Sequence, residues 1–310
     1  MPKRKRLDAL ILGGGMAGIS AALWLRDFGL EALILEQAEQ PGGQLHEIHA
    51  PIPNYVLGYG WDGSRFTAVA LNDARSAELS ILVGQSISRI SARRRWAERG
   101  GERFEASALL IATGLERRTL DVPGERELLG RGVSHSANRD RERFAGHPVV
   151  VVGGGTAAVE DALLCAEAGS TVTLLHRSGR FRARRDFLER ARMHKAIRIV
   201  ANAKVRRIVG RDRVESVEYH LRGSTTKRIV PAGAVFVRIG WEPQTGLLRG
   251  QLRLDRAGYV RVGPGGATGL PGVYAAGDVC SPRWPSIANA AGQGAAAAWE
   301  IARYLGRLEK

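Results

Sequence analysis

Two glycine clusters carry the first chemical signal in this chain. Gly13, Gly15 and Gly18 follow the apolar run Leu7–Leu12 and lead into Met16–Phe28; Gly153, Gly155 and the small Ala158 follow Pro148–Val152 in the same way. At a strand-to-helix turn the first glycine permits the tight turn, the second lets backbone approach a pyrophosphate, and the third lets helix and strand pack closely. Phosphates then meet the positive end of a helix. Glu36 closes the strand Ala32–Leu35, about 20 residues beyond the first cluster, where a carboxylate accepts from adenosine ribose hydroxyls. After the corresponding strand of the second unit, Thr171–Leu175, there is no acid but His176, Arg177, Arg180 and Arg182. Cations in that place suit a 2′-phosphate; a solvated basic loop is the other reading.

These turns need elements to hold them, and 310 residues with 44% hydrophobic content suffice for about two domains with proper cores. Strand and helix signals alternate, which predicts an α/β fold of two interleaved, three-layer Rossmann-like dinucleotide-binding domains. Leu109–Ile111 reads as a short strand before Ala112-Thr113-Gly114. Gly272–Val279 reads as a strand ending in Gly277-Asp278, ahead of an Ala/Gly-rich helix at Ala288–Tyr304. An Asp at such a strand end suits a ribityl hydroxyl.

Composition excludes several classes. The net charge of +15 is mostly Arg spread along the chain, with no nucleic-acid motif, so nucleic acid is not expected. The charge is either compositional drift or a basic face that steers an acidic electron-transfer protein. Cys165 and Cys280 are the only cysteines, too few for a disulfide framework, which points to a reducing, cytoplasmic setting. Met1–Arg6 and the apolar residues after it imitate a secretory signal, but the glycines of the turn and the lack of a cleavage site argue against one, and the first six residues read as a solvated tail. No apolar run reaches the roughly 18–20 residues of a membrane span. No metal site is expected.

Taken in order, LGGGMAGISAA, the PGGQL of Pro41–Leu45, the PNY of Pro53–Tyr55, LLIATG, VPGERELLGRGVS, VVGGGTAAVEDAL, HRSGRFRA, VFVRIGWEPQT and GVYAAGDV resemble the low-molecular-weight thioredoxin reductase group of FAD/NAD(P) flavoproteins across the whole chain. The resemblance implies an FAD domain from residues 1–119 and 242–310 and an NAD(P)H domain at 120–241. A homodimer is expected, with the Ser136–Asp140 segment near the flavin. The resemblance places Gly13, Gly15, Gly18, Glu36, Gln44, Asn54, Gly114, Gly277 and Asp278 at FAD. Gly153, Gly155, Ala158, His176, Arg177 and Arg182 fall to the nicotinamide nucleotide, NADPH being favoured over NADH. In the resembled family a domain rotation serves the dithiol, with hinges that would fall in Gly114–Val122 and Ile239–Gln244; with no dithiol here, one orientation is expected to dominate.

The departures from the family pattern matter as much. Where the family has Cys-Ala-Thr-Cys-Asp, this chain has Ser136-Ala137-Asn138-Arg139-Asp140. Neither Ser nor Arg forms a thiolate or a mixed disulfide, so Ser136 and Arg139 mark a degenerate dithiol site. Asp140, matching the family's proton donor, is either a catalytic acid or a leftover surface carboxylate. The family's His-Arg-Arg becomes His176-Arg177-Ser178, and its Arg-Gln-Ala contact near the flavin becomes Pro285-Ser286-Ile287 after Trp284, a stacking residue or a structural aromatic. Cys280 is a packing residue or a redox thiol, and Cys165 is core. Related ferredoxin/flavodoxin NADP reductases also lack the thiol pair. Their flavin cover is longer than Leu305–Lys310, which implies an open flavin face.

The resulting expectation is an FAD-dependent NAD(P)H oxidoreductase that passes electrons to a non-disulfide acceptor: ferredoxin, flavodoxin, a quinone or a small molecule. A flavin-binding sensor or interaction protein of the same fold, without turnover, is the alternative.

Overall fold

A computed structural model describes residues 7–280 and 285–308; the tail Met1–Arg6 and Trp284 lie outside the described residues. The chain runs through β1 (Leu7–Leu12), α1 (Met16–Asp27), β2 (Ala32–Leu35), α2 (Gly63–Ser76), β3 (Ser80–Leu82), β4 (Ile87–Ser91), β5 (Trp96–Arg99), β6 (Glu102–Ile111) and β7 (Leu115–Arg117). It continues through β8 (Val133–Ser134), α3 (Ala137–Asp140), β9 (Pro148–Gly153), α4 (Thr156–Glu167), β10 (Thr171–Leu175), α5 (Arg185–Met193), β11 (Ile197–Val200), β12 (Ala203–Gly210), β13 (Val214–Leu221), β14 (Arg228–Pro231), β15 (Ala234–Arg238) and β16 (Trp241–Pro243). It closes with β17 (Val273–Ala275) and α6 (Ile287–Tyr304). Two compact units result, one from residues 1–116 and 242–310, the other from Arg117–Trp241, against boundaries of 119/120 and 241/242 read from the sequence. The chain passes between them at β7 and β16, which pair with each other.

In the first unit the sheet order is β3-β2-β1-β6-β5-β4, with β17 added on β6. β3, β2, β1, β17 and the second half of β6 run parallel, while β4, β5 and the first half of β6 form an antiparallel meander. Alternation along the strands decides which layer each side chain joins. Ala9, Ile11, Ile34 and Leu110 pack with the buried faces of α1, α2 and α6; Leu10, Leu12, Leu35 and Ile111 pack on the other face with Ala97, Val260 and Val279. Both faces are covered, so the parallel strands read as unbroken apolar runs. α1 and α6 cross closely, because Gly294 has no side chain to overlap the carbonyl of Ala17.

The second unit repeats the plan with a parallel sheet in the order β11-β10-β9-β15-β8 and an antiparallel meander β12-β13-β14. Val149, Val151, Leu174 and Phe236 face α4 and α5; Val150, Val152, Leu175 and Val235 face the meander side chains Val205, Ile208 and Val217. Each unit is therefore helix, sheet and meander in three layers.

Two elements differ from the sequence reading. β6 starts at Glu102 rather than Leu109, since its first half is polar and lies on the meander edge. Only Val273–Ala275 of the expected strand Gly272–Val279 pairs; Gly277 turns with φ of 80° and Asp278–Cys280 makes a 3₁₀ turn.

Candidate functional site

At the first glycine turn, Gly13 has φ of 109°, a left-handed conformation that disfavours a side chain, and a Cβ there would overlap the carbonyl of Ala112 at the end of β6. A Cβ at Gly18 would overlap the carbonyl of Gly13, so α1 can seat on β1 only with glycine there. Gly15 caps α1 with no side chain and open space around it. The Glu36 carboxylate is buried and folds back on the turn, its Oε2 accepting the Gly14 amide at 2.6 Å and its Oε1 the Ala38 amide at 2.8 Å. Pro41–Leu45 folds over the same turn, with the Gly42 amide donating to the Gly14 carbonyl.

Gln44 and Asp278, far apart in sequence, meet there: Gln44 Nε2 donates to Asp278 Oδ2 at 2.9 Å. Asp278 Oδ1 is buried without a hydrogen-bond partner among the described residues. Burial raises this carboxyl, and the Gln44 bond only partly offsets it. A buried acceptor lacking a donor, beside a glycine turn with open space at Gly15, fits a ligand that brings hydroxyls and phosphates. A Cβ at Gly114 (φ of 65°) would have Gln44 Nε2 as its nearest neighbour, at 3.8 Å, and Asn54 is exposed. Sequence reading missed two supports. Gln244 accepts from Thr113 through its carbonyl and donates its amide to the Gly114 carbonyl, and Gln293 Oε1 accepts the Gly277 amide at 2.8 Å. The trace of Gln293 in the sequence was a polar residue, one turn after Asn289, in the Ala/Gly-rich first half of the helix.

The second turn is built alike. A Cβ at Gly153 would overlap the Arg238 carbonyl, Gly155 caps α4 with open space around it, and Ala158 is fully buried. His176 lies directly against Gly154, where any side chain would overlap its ring. It is buried, within 3.1 Å of the Arg180 carbonyl and 2.9 Å of Ser178 Oγ, and its ring centroid is 4.6 Å from that of Phe181. Burial, aided by the charges of Arg177 and Arg182, holds its pKa below the ordinary value although the bond to Arg180 pulls the other way. His176 is thus a neutral wall of the loop. Arg177, Arg180 and Arg182 are exposed, and among the described residues no acidic side chain pairs with them, while Arg184 and Arg185 are held by Asp186 and Glu189. The Arg182 amide donates to the Gly154 carbonyl, which fixes the basic loop beside the glycine turn.

The segment from Ser134 to Asp140 places Ser136 at the N-cap of α3 and Arg139 in its turn. Asp140 is 5% exposed. Arg139 grips it with Nε at 3.1 Å from each carboxylate oxygen and Nη2 at 2.8 Å from Oδ2, and Ser134 Oγ donates to Oδ2 at 2.6 Å. Arg143 adds a charge 3.7 Å from Oδ1. Burial would raise this carboxyl, yet the hydrogen bonds of Arg139 and Ser134 and the two cations together hold it below the usual range. Arg139 therefore locks its neighbour as a carboxylate.

Both cysteines are free. Cys165 is core, 1% exposed, with its thiol pushed up to about 12 by burial and by Asp161. Cys280 packs against the apolar layer around Val279, and burial with Asp278 pushes its thiol up to about 12. Neither forms a thiolate readily at neutral pH. Among the described residues there is no group of three or more His, Cys, Asp or Glu that could hold a metal, and no helix long and apolar enough to cross a membrane.

Two α/β units, each with a glycine turn between a parallel strand and a helix, β1 to α1 and β9 to α4, define a protein built of two Rossmann-like folds. Residues 7–294 match the pyridine nucleotide-disulphide oxidoreductase family, and the chain belongs to it. It is 34% identical over 304 residues to the thioredoxin reductase of Mycolicibacterium smegmatis, covering 96% of each chain. It is 30% identical over 308 residues, covering 99% of each, to the 34.2 kDa protein in the rubredoxin operon of Clostridium pasteurianum. The thioredoxin reductase of Lactococcus lactis superposes with a TM-score of 0.81 at 28% identity, over 98% of this chain and 100% of that one. The chain is thus a thioredoxin reductase-like member of an oxidoreductase family, as its motifs indicate.

Proposed function

We propose that this chain is an FAD-dependent NAD(P)H oxidoreductase that takes electrons from NADPH in preference to NADH and delivers them to an acceptor other than a disulfide. The observation that carries this reading is the segment Ser136–Asp140. Serine cannot be oxidised to a disulfide, and Arg139 is committed to the Asp140 carboxylate. Cys165 is buried and Cys280 partly so, and burial pushes both thiols up to about 12, so no thiol relay is left for the electrons.

FAD, when bound, supplies the chemistry of accepting a hydride and releasing one or two electrons. The residues of the first unit would hold it: the Gly13–Gly18 turn at the pyrophosphate, Glu36 at the adenosine ribose, and Gln44, Gly114, Gly277 and Asp278 around the remaining hydroxyl and ring atoms, with Asn54 near them. The second unit would hold the nicotinamide nucleotide on Gly153, Gly155 and Ala158. There Arg177 and Arg182 supply free cations for a 2′-phosphate, while His176 shapes the loop as an uncharged ring. Asp140 acts as the anchor of Arg139 and Ser134 rather than as a proton donor, because a carboxylate held below its usual pKa carries no proton to give at neutral pH. The basic surface suits an acidic electron-transfer protein, and the rubredoxin-operon relative makes rubredoxin a sensible member of an acceptor screen.

The test is anaerobic stopped-flow mixing of the FAD-loaded protein with NADPH, followed by ferredoxin, flavodoxin, rubredoxin, quinones, thioredoxin and an aromatic disulfide as acceptors. Rapid bleaching with turnover on a non-disulfide acceptor is expected. Appreciable thioredoxin reduction that survives Cys280→Ser would overturn the reading.

A further inference from the structure

β8 ends at Ser134 and α3 begins at Ala137, so the backbone between them depends on side-chain partners. The Ser136 amide donates to Ser134 Oγ at 3.1 Å. The other two partners come from residues that no part of the proposed function uses. Asp161 is 1% exposed, on the buried face of α4 among Ala158, Ala162 and Cys165. A carboxylate in such company is costly unless it is paired. Its Oδ2 accepts the Ala137 amide at 3.3 Å and lies 3.2 Å from Arg238 Nε. Arg238 Nη1 in turn donates to the His135 carbonyl at 2.7 Å.

The same pair reaches the second glycine turn. Arg238 ends β15 in register with Gly153, and its carbonyl fills the space where a side chain at 153 would sit. Asp161 rides on the helix that the turn opens. One ion pair therefore joins the turn, its helix and the backbone on both sides of Ser136.

We propose that Asp161 and Arg238 are positioning residues whose ion pair fixes the backbone of His135–Ala137, and with it Ser136 and Arg139, against the second glycine turn. This rests on the reading of that turn as the nucleotide site, but the fixing itself needs no ligand. The charged groups facing Asp161 are Arg238 from β15, Arg117 from β7 and Glu160 from α4; the Cys165 thiol lies close enough on α4 to feel its charge, and Arg141 acts on that thiol in the opposite sense. Burial drives the Asp161 carboxyl up to about 6 against the pull of Arg238. Without Arg238 the ionised form would lose its nearest counter-charge and the carboxyl would rise further.

The experiment follows the Asp161 side-chain carboxyl by carbon NMR through a pH titration, and the Ala137 amide by hydrogen exchange, on the full-length protein as purified. Arg238→Met is expected to raise the Asp161 midpoint by about one unit or more and to speed exchange at Ala137 by about tenfold, with the amides of β10 unchanged. Arg238→Lys keeps a charge at the site and is expected to restore most of the midpoint. Asp161→Asn, which retains an oxygen for the Ala137 amide, is expected to loosen the segment less than Arg238→Met does. An unmoved midpoint in a folded Arg238→Met protein, or Ala137 exchange unchanged in both Arg238→Met and Asp161→Asn, would overturn the proposal. No nucleotide or acceptor enters these measurements, so their outcome is separate from whether NADPH reduces the flavin.

Discussion

At the scale of single residues, missing atoms do as much as charged ones. Gly18 lets α1 sit on β1, so Gly18→Ala forces backbone apart and should cost about 1–3 kcal/mol, together with much of the bound FAD. Thermal unfolding and the flavin absorbance of the purified variant check this. The opposite case is Arg139. Asp140 titrates below its ordinary value in the folded chain, so its contribution to stability is present above the unfolded carboxylate pKa and is lost as pH falls through the lowered one. Arg139→Met should reduce neutral-pH stability by about 1 kcal/mol, discounted because Arg139 is half exposed, and should shift acid unfolding to higher pH. Urea titrations at pH 7 and pH 4 measure both effects; equal stability of the two proteins at pH 7 would show that the lock has no weight. For Arg177 and Arg182, loss of either cation should erode an NADPH preference of about tenfold or more, read as the ratio of flavin bleaching rates with the two nucleotides.

At the scale of elements, α3 and α4 hold the segment Ser136–Asp140. Ser136 at the N-cap and Arg139 three residues on lie on one side of the turn, within a stretch that a short disulfide ring can span with slight adjustment. Ser136→Cys with Arg139→Cys should therefore form an intramolecular disulfide, shown by alkylation and mass before and after reduction. Two thiols that stay reduced under mild oxidation would mean the turn has lost its old geometry. α4 carries a second pH effect of opposite sign. The folded pKa of Asp161 is raised to about 6, so its stabilisation is full below the unfolded carboxylate value near 3.8 and is lost as pH rises through 6. The difference in unfolding free energy between the wild type and Asp161→Asn should change between about pH 4 and pH 6 and stay level above.

At the scale of the whole molecule, the second unit is continuous in sequence and carries its own two-sided core, whereas the first is assembled from both ends of the chain. The strands where the chain enters and leaves the second unit pair with each other, so its ends start close together. Residues 117–241 expressed alone should fold cooperatively and bind 2′,5′-ADP without FAD, as calorimetry and circular dichroism would show. The complementary fragments should not fold by themselves, since α1 and α6 complete each other only when both are present.

The sequence by itself determined the two glycine turns and their strands and helices, because each is a local matter of residue type and spacing, whereas the meanders and the strand order join segments far apart in the chain. Glu36 and the basic loop were legible for the same reason: each follows directly from the end of a strand. What the tertiary structure decided was pairing across long intervals. Only folding brings Gln44 to Asp278 and Gln293 to Gly277, presses His176 against Gly154 as an uncharged wall, and buries Asp161 beside Arg238. Asp140 shows the division within one residue. Its position was plain from the motif, but whether it keeps a proton depends on burial weighed against the grip of Arg139, Ser134 and Arg143, and that balance exists only once the chain has folded around it.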